Sequence, residues 1–483
     1  MTKFSQTLSD IIKNKKTPVY AVAKKCGIDR SHLSRVLTGE RKLSPEAFGR
    51  LAETLELTPS EDRKLRLFYV AENFGDHRYG KYVDFINKLS RLDEAFAHVK
   101  ETKNGIRISL DFEGNILTFS DPLETANALG YVVKKELTEN NERSRIYTNL
   151  PSKIIFPILR KSTEKLPSGF DFRHLIAISN EKEYDLDVIF NIVRFMDYGC
   201  ITRYYNAPSS PEEHIDLLYP YYVITREFTF LISVDFERSF IVRNEEFADE
   251  NAEAFIEKEK NTKKYVNIYD DVLDCKENCK EIHSLGFDTL MTFGTFCATL
   301  YMSEDMWEQI AKSDLPGREY LIKSTYEYYQ TFGKAFKNIS YVYTKESIDE
   351  FVRTGIVKNI PIEYAVPLTP ENREKVLAKF KKAAMHDNFR VVKDGYLGSI
   401  KNVSIEVYKN ETGDSQKHLT FFSETENAPT HYLGNVGCNI DEQNTIEDFL
   451  EFTRYFLVSG ACYNSKESLD IIDDAIEKCK GMK

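Results

Sequence analysis

The sequence predicts a multidomain protein: an all-α bundle at the N-terminus, then a large α+β region read as two modules. Three observations carry this. In residues 1–75 apolar side chains recur at three and four positions, with glycines at the breaks. After about residue 105 the period changes to alternating strands interleaved with helices. Charge divides along the same line. Residues 1–75 hold 14 Lys and Arg against 9 Asp and Glu, a net +5. The whole chain carries −11, so residues 76–483 carry −16. A length of 483 residues fits two to four domains.

Each element of the head has a local reason. Thr17 before Pro18 reads as an N-cap with proline at the first helical position. Val19, Val22, Ala23 and Cys26 then make one apolar face, and Gly27 breaks the helix. Asp29 or Ser31 caps a second helix running to Leu37, with Leu33, Val36 and Leu37 inward, and Gly39 ends it. Ser44-Pro45 starts a third helix that buries Phe48, Leu51, Ala52 and Leu55. Thr58-Pro59-Ser60-Glu61 opens a last one holding Leu65, Leu67, Phe68 and Val70. Two short helices joined by a glycine turn, the second rich in Arg, Ser and His, are how side chains are laid into the DNA major groove. The expected DNA-binding set is Thr17, Arg30, Ser31, His32, Ser34, Arg35, Thr38, Arg41 and Lys42. Arg30 and Arg35 suit base edges or phosphates, Ser31 and Ser34 reach either, and Thr38, Arg41 and Lys42 suit the phosphate backbone. A basic head on an acidic body places phosphate binding in the head, and the body's field repels DNA.

These residues resemble the lambda-repressor-like (Cro/XRE) helix-turn-helix family. The matching positions are Val22-Ala23, Cys26-Gly27-Ile28, Leu33, Val36-Leu37, Thr38-Gly39, and Leu51-Ala52 before Leu55. The resemblance covers about the first 75 residues. It implies a five-helix bundle that binds double-stranded operator DNA, usually as a homodimer, in the bacterial cytoplasm. Val19 stands where many members carry a polar residue, and Arg30 and Ser31 stand where glutamine is common. These departures bear on the operator sequence and leave the binding mode unchanged.

The remainder reads as a connecting helix over 76–102, an α+β regulatory or sensor domain over 103–335 and a second α+β module over 336–483. Ile106–Leu110 and Ile116–Phe119 suggest a hairpin, Asp185–Tyr198 a buried helix, and Tyr219–Val242 three consecutive strands before a helix over Glu245–Lys260. Helices are expected near Trp307, over Tyr320–Phe336, Ser347–Arg353, Thr445–Leu457 and Ser465–Cys479. Strands are expected over Ile339–Tyr343, Phe389–Val392, Val403–Tyr408, His418–Phe422 and His431–Val436.

The body lacks the phosphate-cradling, nucleophile-elbow and metalloprotease motifs, and has no C-x-x-C. Asp271, Cys275, Cys279 and His283 recur every four residues. Four ligands on one helix extend over about 18 Å and cannot close one tetrahedron, so they read as a half-buried helix side. His214 and His386 read as loop histidines. The eight cysteines are scattered, which fits reduced thiols. No secretory leader and no membrane span are expected. Of the aromatic clusters, Tyr221, Tyr222, Phe228 and Phe230 are the expected walls of a ligand pocket. The sequence therefore predicts a cytoplasmic DNA-binding transcriptional regulator whose C-terminal region dimerises and senses a small-molecule or protein effector. Catalysis, cofactor and metal are not expected. The alternatives are the DNA-binding component of a toxin–antitoxin or phage-defence system, or an enzyme fused to a DNA-binding head.

Overall fold

A computed structural model gives the fold. It describes residues 2–58, 60–62, 64–75, 114–139, 144–162, 170–179, 201–207, 218–269, 280–282, 284–358, 360, 364–385, 388–394, 396, 403–410, 417–424 and 435–482. The chain divides into two compact units. The first is Met1–Arg91 with Ile282–Lys417 and Ile446–Lys483; the second is Leu92–Glu281 with His418–Thr445.

The head, part of the first unit, is an all-α bundle: α1 (Lys3–Asn14), α2 (Val19–Cys26), α3 (Arg30–Thr38), α4 (Pro45–Thr54) and helical residues 60–62 and 64–75. Leu8, Val22, Leu33, Phe48, Leu51, Leu65 and Tyr69 form its core. The Phe48 and Tyr69 rings stack at 3.9 Å, and Phe4 meets both edge-on. Burial of these side chains, each worth about 1.5–3 kcal/mol, stabilises helices too short to persist alone. Two local expectations are corrected. Leu67 is exposed and Tyr69 fills the core instead, because 65 and 69 lie one turn apart while 67 points the other way. Pro18 is still extended at ψ 138°, so it is the N-cap position of α2 and provides no side-chain cap. Thr17, one residue earlier, donates its hydroxyl to the Lys15 carbonyl at 3.2 Å.

The second unit holds an eight-stranded mixed sheet. Its strands are β1 (Ile116–Phe119), β2 (Arg145–Thr148), β3 (Asp171–Ser179), β4 (Ile201–Ala207), β5 (Tyr221–Ile224), β6 (Phe228–Ile232), β7 (Ser239–Arg243) and β8 (Lys263–Lys264). Their order is β1-β7-β6-β5-β2-β3-β4-β8. β2, β3 and β4 are parallel, and β5–β6–β7 is the antiparallel meander the sequence predicts. The helix Glu245–Lys260 follows it and packs Ala252 and Phe255 against Tyr147, Leu175 and Ile224. The same unit carries an antiparallel ladder of β14 (His418–Glu424), β15 (Asn435–Ile440) and β9 (Val266–Tyr269). The strand expected at His431–Val436 is thus found at Asn435–Ile440. The connecting helix, Ile106–Leu110, Asp185–Tyr198, His214, His386, and Asp271 with Cys275, Cys279 and His283 lie outside the described residues.

In the first unit a second group of strands runs β12 (Asn388–Val392), β11 (Asn338–Thr344), β10 (Thr289–Gly294), β13 (Val403–Lys409). β10, β11 and β12 are parallel and β13 is antiparallel to β10. Parallel neighbours need crossovers. The helix Arg318–Ala335 lies between β10 and β11 in the chain, and Lys345–Thr354 and Pro370–Ala384 lie between β11 and β12. One sheet face packs Tyr341, Tyr343 and Phe389 against Phe296, Phe351 and Phe380. On β10, Phe293 meets Phe449, Phe452 and Phe456 of the helix Gln443–Val458. The head joins this packing. Arg66 donates to the Val458 carbonyl at 2.8 Å, Arg390 meets Glu53 at 3.2 Å, and the Phe74 ring sits edge-on to Tyr455 at 5.8 Å. A helical head and a large α+β region with two mixed sheets are therefore the architecture. Among the described residues no helix is long and apolar enough to cross a membrane.

Candidate nucleic-acid interface

The turn between α2 and α3 is built from two residues with different physical roles. Gly27 ends α2 at φ +63°, a conformation where a Cβ is strained. Asp29 then caps α3. Its carboxylate accepts from the backbone of Ser31 at 2.8 Å and of His32 at 3.1 Å, and from the Ser31 hydroxyl at 2.5 Å. The Ser31 hydroxyl bond and those two amides hold the Asp29 carboxyl below its usual range. Gly39 closes α3 at φ +81°. Leu33 and Val36 fix the helix to the bundle, and Arg50 of α4 donates to the Cys26 carbonyl at 2.8 Å, covering the last carbonyls of α2. Sequence reasoning missed Arg50; an arginine facing a helix C-terminus was the available signal.

The nine residues expected to meet DNA differ in freedom. Arg30, Ser34, Arg35 and Arg41 are exposed, and among the described residues none has a side-chain hydrogen bond or ion pair. Arg30, Ser34 and Arg35 project from α3 opposite its buried stripe, so they can reach a groove without breaking an existing contact. The half-buried His32 lies beside them. The Ser31 hydroxyl is engaged by Asp29 and retains its acceptor lone pairs. Thr38 donates back to the Arg35 carbonyl at 2.9 Å, and Lys42 donates to the Glu72 carbonyl at 2.6 Å. Thr17 sits before α2, with its hydroxyl turned to the local backbone.

Tyr221, Phe228 and Phe230 are fully packed, at 3%, 1% and 0% exposure, so they are core and not pocket walls. Their strands are covered on the inner face, and apolar alternation marks burial as readily as a cavity. A cleft of about 290 Å³ lies in the first unit, bordered by the helix Arg318–Ala335 and β11. Near it is a buried polar row: Glu406 and Tyr341 flank Thr292 in strand register. Tyr408 donates to Glu406, Tyr301 donates to Tyr341 at 2.6 Å, and Thr292 donates to Tyr343 at 3.1 Å. Burial raises the Glu406 carboxyl against the opposing Tyr408 bond, and pushes the Cys297 thiol up to about 11.

Comparison with known proteins fits this division. The Helix-turn-helix family HTH_3 matches residues 8–61. No curated protein sequence matches the chain. Phosphatidylserine synthase from Haemophilus influenzae Rd KW20 is similar in structure at 11% identity and TM-score 0.23, over 81% of this chain and 97% of that one. Polyphosphate kinase from Porphyromonas gingivalis is similar at 9% identity and TM-score 0.22, over 70% of this chain and 49% of that one. Both of those proteins are enzymes, which stands against the expectation of a chain that is not an enzyme. TM-scores of 0.23 and 0.22 assign no reaction or substrate. Residues 8–61 are a helix-turn-helix domain of the Cro/XRE type.

Proposed function

We propose that the protein is a cytoplasmic DNA-binding regulator that docks α3 in the major groove of operator DNA, acts as a homodimer and answers to an effector bound by its large region. The observation that carries DNA binding is the exposed set Arg30, Ser34 and Arg35 on an Asp29-capped α3, with Arg41 just beyond its end, all without a side-chain partner among the described residues. Arginine bridges guanine O6 and N7 with two hydrogen bonds. Arg35→Ala is expected to weaken operator binding by about 1–3 kcal/mol. Affinity should fall steeply with salt as counterions are released. A gel shift of the full chain on the DNA upstream of its own gene tests this. A folded protein that retards no genomic fragment at low salt overturns the reading.

A second reading, an enzyme carried on a DNA-binding head, is favoured by the buried carboxyl of Glu406 in register with Thr292 and Tyr341. Desolvated carboxyls with shifted protonation are a common feature of acid–base sites. Turnover by the full chain that disappears in Glu406→Gln, with folding retained, supports it; turnover unchanged in that variant removes it.

A further inference from the structure

We infer that the cleft against the helix Arg318–Ala335 is a binding site for a small molecule with a flat ring and an anionic group, a phosphate or carboxylate. The inference rests on the reading that the large region answers to an effector, and it assigns that site to the first unit instead of the β5–β7 meander. Five observations point to this site and its chemistry. The cleft is about 290 Å³, close to the lower end of the roughly 300–1,000 Å³ typical of small-ligand sites. One part of its wall is aromatic and flat: Tyr329 lines it and is itself stacked on Trp307, with ring centroids 5.6 Å apart and planes 14° from parallel. Another part is a phenol pair, Tyr301 donating to Tyr341 at 2.6 Å, and burial keeps the Tyr301 phenol well above its ordinary range and so neutral. A ring stacks or meets such walls edge-on.

The charge is at the rim. Lys334 and Lys337 line the cleft, both are exposed, and among the described residues neither side chain has an ion pair or hydrogen bond. Two free ammonium groups above an apolar wall select an anion attached to a ring over a neutral ring. Gly333 also lines the wall. A helix interior disfavours glycine relative to alanine, so its presence needs a reason. Here a Cβ would meet only Leu300 Cδ2 at 3.9 Å, so the missing side chain leaves the cleft open.

Trp307 is the chain's single tryptophan, so its fluorescence reports on the ring that Tyr329 presents. The experiment titrates the full chain with phenyl phosphate, with phenol and inorganic phosphate as partial probes. A saturable fluorescence change is expected with phenyl phosphate, and at least tenfold weaker binding of either partial probe. Lys334→Gln with Lys337→Gln should weaken phenyl phosphate at least tenfold. Gly333→Met should abolish binding while leaving Tm unchanged or higher. The inference fails if no saturable change is seen, if phenol binds as tightly as phenyl phosphate, or if the double lysine variant binds undiminished. A gel shift with phenyl phosphate present separates the two levels. Binding in the cleft with operator affinity unchanged keeps the site and removes the effector reading.

Discussion

His174 shows how one buried residue sets a pH dependence. It lies on β3 at 1% exposure between the Phe156 and Phe172 rings. Its Nε2 is 2.7 Å from the Leu150 carbonyl, which can only accept, so Nε2 carries the proton. Among the described residues its Nδ1 is buried without a partner. Burial outweighs the Leu150 bond and pushes the imidazole down to about 4, against an unfolded value of about 6.5. Below pH 6.5 the unfolded chain takes up a proton that the folded chain refuses. Stability therefore falls as pH drops, by about 3 kcal/mol at pH 4 from this residue. His174→Gln keeps an N–H donor and removes the titration. Its denaturation midpoint is expected to vary less with pH between 6.5 and 4 than that of the parent chain, and an identical pH profile would refute the assignment. Single-residue features legible in the sequence were those with local causes, such as Gly27, Gly39 and the Asp29 cap. The environment of His174 is completed by Leu150 and Phe156 from other segments of the chain, and no local pattern records it.

Among the elements, the helix Lys345–Thr354 depends most visibly on a remote side chain. It ends at Gly355 with φ +71°. Arg373, from the next helix, donates to the carbonyls of Val352 at 2.8 Å, Arg353 at 3.2 Å, Thr354 at 3.1 Å and Leu368 at 2.8 Å. The guanidinium thus satisfies carbonyls that a helix C-terminus leaves open. A Cβ at Gly355 would lie 2.3 Å from Arg373 Nε and 2.4 Å from the Leu368 carbonyl. Gly355→Ala therefore combines left-handed strain of about 1–2 kcal/mol with displacement of a charged hydrogen-bond donor worth about 1.5–3 kcal/mol. Chemical denaturation should show a loss of about 3–5 kcal/mol, and a loss under about 1 kcal/mol would show that the cap is not needed. The sequence reading assigns no helix to Pro370–Ala384, although Thr369-Pro370 repeats the start signal of Ser44-Pro45. It also assigns no strand to Thr289–Gly294. All six residues of that strand are buried, so the alternation that marks a half-exposed strand is missing.

For the whole molecule, the head's place in the first unit is the consequential arrangement. Arg66 donates to Asp62 and to the Val458 carbonyl, both at 2.8 Å, and its guanidinium lies 5.7 Å from the centre of the Phe48 ring. Arg66→Ala removes a charged donor to a main-chain acceptor, a loss of about 1–3 kcal/mol. Limited proteolysis should then release a fragment near residue 75 about five- to hundredfold faster, with operator affinity within about threefold. Unchanged cleavage would show that Arg66 does not hold the head. The Arg390–Glu53 pair is partly exposed and contributes at most about 1 kcal/mol. A homodimer is the second expectation at this scale, because one α3 reads only a few base pairs and two half-sites one helical turn apart give tight specificity. Light scattering at micromolar concentration should give twice the 56.0 kDa chain mass; a monomer both free and on DNA would remove it.

The helix-turn-helix was legible residue by residue because its causes are local. Gly27 and Gly39 adopt left-handed φ, Asp29 caps α3, and the 3.6-residue period of Val22, Leu33, Val36 and Leu51 marks the inward faces. The meander at 221–243 was legible for the same reason, since neighbouring strands pair across short turns. Parallel pairing of β2 with β3 and of β10 with β11 depends on segments brought together across long crossovers, and nothing in either strand names its partner. The aromatic residues at 221–230 and at 326–329 look alike in sequence. Packing over the whole unit made the first group core and left Tyr329 beside an open cleft. Whether an apolar side chain fills space or borders it depends on the volume its distant neighbours leave, and that volume exists only once the chain has folded.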